Sequence, residues 1–216
     1  ESWLTPDEVN GLFDCYGLSR VREGSATTAE EAADLAARFG ARVALKAAGP
    51  VHKTESDAVR LDAPPGRALD EARAMAERLE GSKEPLEGFV VQEMIQGGTE
   101  MLVGAAADPV FGPVIAVGAG GVTVELTRDV AVRVAPLTDL DAEELVSSSR
   151  AHEALVALGA QTAGVTELLL RLGRLAAALP ELRRARPNPI LASPDGLGVL
   201  HAELHPPPLD RSAARP

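Results

Sequence analysis

A series of short apolar segments, most of them separated by glycine- or proline-containing turns, constrains the fold of this chain more than any other feature. Segments of this length suit β-strands, and the turns between them suit antiparallel pairing. Longer segments with apolar residues at helical spacing precede and follow the series, so the order of elements predicts an α+β fold. The predicted strands cover residues 19–23, 42–46, 58–61, 88–93, 100–107, 114–117, 122–126, 131–134, 187–192 and 196–204.

Capping pairs mark the starts of the first two predicted helices. Thr5 and Glu8 form a capping box before a segment of helical periodicity. Thr28 and Glu31 form a second box, which opens the segment 29–39. Three further helices are predicted over residues 67–80, 140–158 and 165–179.

The order of elements divides the chain into four parts. We expect an N-terminal helix over residues 1–17, a first lobe over 18–94 and a second lobe over 95–205, with the longer antiparallel sheet in the second lobe. Residues 206–216 are rich in proline and arginine, so they are predicted to form a disordered tail or a linker.

Charge and composition exclude several classes of partner. The formal net charge is −11, which argues against nucleic acid because polynucleotide binding needs a basic face. A nucleotide needs only one or two well-placed cations, so an acidic chain can still bind one. No apolar run approaches the ~20 residues of a membrane helix, so no membrane partner is expected.

Cys15 is the single cysteine, which excludes an intrachain disulfide and a zinc site built from cysteines. It lies in a segment of helical periodicity, where we expect a buried, unreactive thiol. The chain begins at Glu1 without a basic and apolar leader, so we expect part of a longer cytoplasmic protein.

Lysine is rare in this chain, yet two of its three lysines flank one loop. Lys46 ends an apolar strand and Lys53 follows seven residues later, while eighteen arginines fill the other cationic positions. An ammonium is a compact charge that suits a phosphate oxygen. His52 precedes Lys53, and a neutral imidazole can attack phosphorus. From spacing alone, an ordinary structure is somewhat favoured, with solvated lysines at the strand end and in the loop and with a surface histidine at position 52.

A second constellation follows a predicted strand. Gln92, Glu93 and Met94 end that strand, and Glu100 begins the next one after a glycine turn. Such a hinge can offer backbone groups to an adenine edge and a carboxylate to ribose hydroxyls, although an ordinary hairpin has the same pattern. The glycines of residues 118–121 can bring a backbone close to phosphate, but alone they are weak evidence.

Taken in order along the chain, these motifs carry a family resemblance. The strings are GPVHKTE at 49–55, VQEM at 91–94, DPVFGPV at 108–114 and Asn-Pro at 188–189, and the matches cover about residues 4–204. The chain resembles the ATP-grasp domain of the NDP-forming acyl-CoA synthetases, which include the ADP-forming acetate–CoA ligases. The resemblance implies an ATP-grasp fold with two α/β lobes and a nucleotide cleft between them.

The resemblance also implies a set of residues that bind ATP or ADP. Lys46 resembles the lysine that contacts the nucleotide phosphates. Gln92, Glu93 and Met94 match the adenine hinge, and Glu100 matches the carboxylate that binds ribose.

For catalysis, the resemblance implies that His52 relays phosphate between the nucleotide and an acyl phosphate, with Lys53 beside it neutralising the transferred group. Asn188 matches one residue of the family's magnesium site. The acyl phosphate then reacts with coenzyme A, so the implied partners are CoA-binding and ligase domains of the same or a partner chain.

Two departures from the family pattern bear on catalysis. Asp57 stands near the HKTE string where the family commonly has glycine. Arg186 stands two residues before Asn188, where the family has a carboxylate, and the second carboxylate of the metal site corresponds to His201 or Glu203. Magnesium prefers oxygen ligands, so we expect the metal site to be lost or reshaped, and an arginine could neutralise nucleotide phosphate directly.

The sequence therefore supports two hypotheses. The first is an enzyme domain, the nucleotide-binding part of an ADP-forming acyl-CoA synthetase, which Lys46, His52, Lys53 and Glu100 favour. The second is a degenerate, non-catalytic ATP-grasp module for regulation or scaffolding, for example fused to a GNAT-type protein acetyltransferase, which Arg186, Asp57 and His201 favour.

Overall fold

The computed structural model describes residues 4–49, 58–80, 86–120, 130–160, 162–180, 182–187, 190–194 and 196–205. The chain forms two compact units. The smaller unit is Val21–Ile95, and the larger unit combines Glu1–Arg20 with Gln96–Pro216. The N-terminal helix α1 (Pro6–Cys15), which the sequence suggested as a separate part, belongs to the larger unit.

The smaller unit is an antiparallel sheet packed against two helices. Its elements in chain order are β1 (Glu23–Ala26), α2 (Ala29–Phe39), β2 (Val43–Ala48), β3 (Val59–Ala63), a 3-10 turn (Pro65–Arg67), α3 (Ala68–Leu79) and β4 (Gly88–Glu93). Among the described residues the strands are ordered β1–β4–β2–β3, which we call the smaller sheet. Side chains of α2 and α3, among them Ala36 and Met75, fill a core with Leu45 and Val91 of the sheet.

The first strand lies further along the chain than its apolar pattern suggested. Residues 19–23 were predicted as a strand, whereas β1 begins at Glu23 and pairs with β4 through the register of Glu23 with Gln92 and Ala26 with Phe89. Gly24 and Ser25 have low strand propensity, so the pairing with β4, rather than local preference, sets this element.

Helix α2 has the predicted boundaries, with one change in its cap. The Thr28 hydroxyl accepts the N–H of Glu31 at 3.2 Å, and Gly40 ends the helix with a φ of 65°. The Glu31 carboxylate instead bonds the N–H and hydroxyl of Thr27, both at 2.8 Å, so the preceding threonine completes the expected box. These hydrogen bonds from Thr27 lower the pKa of Glu31.

The larger unit contains a second antiparallel sheet and the remaining helices. Among the described residues, its elements after α1 are β5 (Thr99–Asp108), β6 (Gly112–Ala119), β7 (Val130–Val134), α4 (Asp139–Ser147), α5 (Ala151–Ala157), α6 (Thr162–Ala178), β8 (Arg184–Pro187), β9 (Ile190–Ser193), β10 (Gly196–Val199) and β11 (Ala202–His205). Within the described residues the strands run β10–β9–β5–β6–β7, with β8 pairing β5 and β11, and we call this the larger sheet. The predicted strands 100–107, 114–117 and 131–134 are confirmed, and 122–126 lies outside the described residues.

Two predictions for the second half of the chain are wrong in detail. The segment 140–158 forms two helices, because Ser147, Ser148 and Ser149 each donate their hydroxyl to the carbonyl three residues earlier, at 3.0–3.1 Å. Such bonds compete with continuation of the helix. The final hairpin exists as β9 and β10, but the sequence missed β8 and merged β10 with β11.

The larger sheet has two different faces, because side chains alternate along each strand. Met101, Val103 and Ala105 of β5 point to the inner face and join the core with buried leucines of α6, such as Leu169 and Leu172. The opposite side, here called the outer face, carries the alternate residues of β5, from Glu100 through Ala106.

Cys15 is exposed, so the expectation of a buried thiol is wrong. Its neighbour Phe13 fills the core position of α1 instead. None of the helices in the described part of the chain is long and apolar enough to cross a membrane.

Candidate nucleotide site

The residues expected at the site lie in both units. Lys46 lies on β2 of the smaller sheet, and the prediction that it ends the strand is wrong, because β2 continues to Ala48. Gln92 and Glu93 end β4, and Met94 follows directly. Glu100 lies on β5 of the larger sheet. His52, Lys53 and Asn188 fall outside the described residues, so their predicted roles stay predictions.

Lys46, Gln92 and Glu23 form a chain of polar contacts across three strands. The Lys46 ammonium donates to Gln92 Oε1 at 2.9 Å, and Gln92 Nε2 donates to a Glu23 carboxylate oxygen at 2.7 Å. Gln92 and Glu23 are direct partners across β4 and β1, and Lys46 lies on the neighbouring strand β2. Gln92 itself is only 5% exposed.

The two neighbours of the Gln92 amide, Lys46 and Glu23, fix its orientation. An ammonium carries only donors and a carboxylate only acceptors, so the amide oxygen must face Lys46 and the NH₂ group must face Glu23. The Gln92 side chain therefore accepts a hydrogen bond from Lys46, the residue proposed to bind phosphate. The contact holds the half-buried ammonium at one place on the sheet.

Glu93 is held by an arginine. Arg22 donates Nε and Nη2 to the two Glu93 carboxylate oxygens at 2.8 and 2.7 Å, and its Nη2 also bonds the Phe39 carbonyl at 2.7 Å. The hydrogen bond from Arg22 holds the pKa of Glu93 below its ordinary value, although burial opposes the shift. The Glu93 carboxylate is thus committed to a structural pair.

Main-chain groups at the same hinge are also partly engaged. The N–H of Glu93 donates to the Arg22 carbonyl at 2.8 Å, and the N–H of Met94 donates to the Arg42 carbonyl at 2.9 Å. Met94 Sδ accepts the N–H of Asp62 at 2.9 Å. Any main-chain contact of Glu93 and Met94 with a base must therefore be made through their carbonyl oxygens.

Glu100 begins the outer face of β5 and is packed by a glycine. Its carbonyl accepts the N–H of Gly120 at 2.8 Å. A Cβ at position 120 would lie 2.5 Å from the Glu100 carbonyl carbon, so only glycine fits there. This packing explains the glycine at position 120, which belongs to the cluster that the sequence pattern linked to phosphate binding.

A cavity of about 430 Å³ lies on the outer face of the larger sheet. Arg184 and Arg186 of β8 form its charged side, and apolar side chains of β5, β6 and β7 form the rest. The apolar lining includes Leu102, Val114, Ala116 and Val132. The sequence missed Arg184, although its spacing from Arg186 on a strand would have placed both on one face.

The described part of the magnesium site that the resemblance implies holds Arg186 and Glu203. Magnesium is held by carboxylates and other oxygen donors, but no group of three or more His, Cys, Asp or Glu residues suitable for a metal occurs in the described part of the chain. Arg186 is paired in register with Glu203, whose Oε1 lies 3.3 Å from His201 Nε2. A guanidinium at this position supplies no ligand to a cation.

Comparison with known proteins gives the class. Residues 1–205 match the family described as ATP-grasp domain. The chain therefore belongs to the ATP-grasp domain family, and the fold expected from the sequence is confirmed. Within this class, the chain is similar to the ADP-forming acetate–CoA ligases over most of its length.

Two relatives give the extent of the similarity. The chain is 34% identical over 197 residues to the ADP-forming acetate–CoA ligase I of Archaeoglobus fulgidus, covering 88% of this chain and 29% of that protein. It is 29% identical over 210 residues to the beta subunit of ADP-forming acetate–CoA ligase I of Pyrococcus furiosus, covering 93% and 90%. The chain thus spans less than a third of the first relative and most of the second.

A solved structure gives the same result for the fold. The chain superposes on the dinucleotide forming acetyl-coenzyme A synthetase 1 of Ca. Korarchaeum cryptofilum, solved in complex with coenzyme A, Ca-AMPCP and HgCl+. The TM-score is 0.81 at 30% identity, and the match covers 95% of this chain and 94% of that chain. A second structure of that protein contains coenzyme A and Mg-AMPPCP, and its phosphohistidine segment points towards the nucleotide binding site (TM-score 0.79, 29% identity, 94% and 92% coverage).

Proposed function

We propose that this chain is the nucleotide-binding domain of an ADP-forming acyl-CoA synthetase and takes up ATP or ADP. The observation that carries the proposal is the Lys46 ammonium, which Gln92 fixes at 2.9 Å on the sheet. An ammonium restrained in this way suits a phosphate oxygen, because little of its side-chain freedom remains to be lost on binding.

The base would be adenine. The hinge N–H groups of Glu93 and Met94 are used within the sheet, so the carbonyl oxygens are what these residues can offer. A carbonyl accepts from the exocyclic amino group of adenine and faces the carbonyl of guanine unfavourably. The Glu100 carboxylate would accept from ribose hydroxyls, as in the family that the chain resembles.

The phosphate relay would use His52 and Lys53. In the direction of ADP phosphorylation, an imidazole nitrogen of His52 that carries phosphate donates it to a β-phosphate oxygen of ADP, so the P–N bond breaks as the P–O bond of ATP forms. Lys53 would neutralise the charge on the phosphoryl group. The acyl phosphate and coenzyme A chemistry would belong to CoA-binding and ligase domains of the same or a partner chain, in the cytoplasm.

A second candidate function has one observation in its favour. Arg186, with no acidic cluster near it among the described residues, suits a regulatory or scaffold module that binds nucleotide without turnover. Such a module would need Lys46 and the hinge but not His52. It would be expected fused to another activity, for example a GNAT-type protein acetyltransferase.

Calorimetric titration of the 216-residue chain with ADP, ATP and GDP tests nucleotide binding. We expect binding of ADP and ATP, weaker binding of GDP, and a loss of about 10- to 100-fold in ADP affinity for Lys46→Met, from the ~1.5–3 kcal/mol of a charge-assisted hydrogen bond. Arg174→Gln, an exposed cation on α6, is the control and should leave the affinity unchanged. Absence of ADP binding at millimolar concentration would refute the proposal.

The two candidates are separated by phosphorylation of the full-length protein with its partner domains. The enzyme predicts an acid-labile phosphoryl group on the protein after incubation with ATP, and its loss in His52→Asn. His152→Asn, on α5, is the matched control. Nucleotide binding without any phosphohistidine would favour the non-catalytic module.

A further inference from the structure

We infer that the outer face of the larger sheet binds the phosphate groups of a nucleoside diphosphate through Arg184 and Arg186, without a divalent cation. This inference rests on the proposed function and specifies how the ligand's negative charge is neutralised. It differs from the magnesium site that the family resemblance implies.

The alternation of strand β8 places the two arginines together. Ala185 and Pro187 are buried on the inner side of the strand, whereas Arg184 and Arg186 are exposed on the outer side. In register, Arg184 opposes Ala106 of β5, and Gly104, the next outward residue of β5, lies beside β8. These small residues leave the space above the strands open for a ligand.

Few negative charges compete for the arginines on this face. Glu203 is the register partner of Arg186, and its carboxylate is close to His201. Asp108 is the next outward residue of β5 after Ala106, and its Oδ1 accepts the N–H groups of Val110 and Phe111 at 2.8 and 2.9 Å. Glu100 is the second residue of β5, at the opposite end of the strand. Between Glu100 and Asp108 the described outer face therefore carries two arginines against Glu203, a positive balance in a chain of net charge −11.

Apolar neighbours strengthen any ion pair made there. Leu102, Val114 and Val132 line the same cavity as the arginines. Such side chains displace part of the water around a bound phosphate, but Arg184 and Arg186 are exposed, so solvent still screens the pair in part. The cavity volume of about 430 Å³ lies in the range of small-molecule sites.

Guanidinium groups at this position act in place of a metal ion rather than with one. Each has five N–H donors and no acceptor, so it can bond phosphate oxygens in pairs but repels a divalent cation. The two arginines bring as much positive charge as one magnesium ion. Unlike the metal, they need no carboxylates around them.

Calorimetry of the 216-residue chain with ADP, in EDTA and in magnesium, tests the inference. We expect the two dissociation constants to agree within about threefold, and Arg186→Gln and Arg184→Gln each to weaken binding in EDTA by about tenfold. Arg174→Gln serves as the control, and unchanged thermal unfolding shows that each variant is folded. If the parent chain binds ADP at least tenfold more tightly in magnesium than in EDTA, the inference is overturned and the proposed function stays intact.

The variant Arg186→Glu gives a sharper test, because it exchanges the cation for an oxygen ligand beside Glu203. We expect its ADP affinity to fall at least tenfold in EDTA and to recover in part with magnesium. Binding by this variant that equals the parent in EDTA would also overturn the inference. Absence of ADP binding by the parent chain in both solutions would refute the proposed function, and the inference with it.

Discussion

The amide of Gln92 joins the Lys46 ammonium to the Glu23 carboxylate, and its removal should weaken both the fold and nucleotide binding. Gln92→Met keeps the length and unbranched shape of the side chain, so cavity effects are small. The change removes the 2.9 Å bond to Lys46 and the 2.7 Å bond to Glu23. Glu23 is exposed, so water replaces its lost partner, and the cost falls mainly on Lys46.

The expected magnitude follows from the Lys46 contact. Hydrogen bonds to charged groups contribute about 1.5–3 kcal/mol, and partial exposure of Lys46 reduces this to about 1–2 kcal/mol in the free energy of unfolding. A lysine that regains its rotamers also binds phosphate less well. We expect ADP affinity to fall by about 5- to 30-fold, since 1.4 kcal/mol corresponds to tenfold.

Calorimetry and thermal unfolding of a double-mutant cycle separate positioning from general damage. In a Lys46→Met background, Gln92→Met should leave the ADP affinity unchanged within about twofold, because the residue it positions is gone. Glu23→Gln retains an acceptor for the Gln92 amide and should keep the affinity within about threefold. Equal losses from Gln92→Met with and without Lys46 would refute the positioning role.

Three further predictions concern the fold. Thr28→Ala removes the cap of α2 and should cost about 1 kcal/mol in unfolding free energy, measured by denaturant titration, with an unchanged value as the contrary result. Leu169→Ala empties a fully buried position of α6 and should cost about 2–5 kcal/mol by the same titration, so a loss under 1 kcal/mol would contradict the assigned core. Arg22 lowers the pKa of Glu93, so their contribution to stability is present above the ordinary carboxyl pKa of 4.5 and is lost as pH falls through the lowered value. Arg22→Gln should flatten this part of the stability curve between neutral and acid pH, and a curve parallel to that of the parent would exclude the pair as its source.

Local signals predicted part of the fold well. Thr28, Gly40 and the apolar spacing between them fix α2 at the predicted residues, because caps and periodicity act within one helix. Strand β1 was misplaced because its Gly24 and Ser25 form a strand only when β4 pairs with them. The three serines after Glu144 divided a helix whose apolar spacing continues, since hydroxyl bonds to carbonyls do not alter that spacing.

The site was predictable where the sequence carries a family motif and not where it depends on distant contacts. Lys46 and Gln92 were both identified, but their bond joins residues 46 positions apart. Nothing in local spacing could pair Gln92 with Glu23, which is 69 positions away. Sheet register alone brings these three side chains together.

The alternation of β8 separates what holds the larger sheet together from what meets the solvent. Ala185 and Pro187 occupy the buried side, and Arg184 and Arg186 the exposed side, within four consecutive residues. If the outer face binds phosphate as inferred, a single exchange at position 184 or 186 changes the charge that meets the ligand while Ala185 and Pro187 stay the same. On that inference, ligand preference would be set by the exposed side of β8, apart from the residues that hold the larger sheet together.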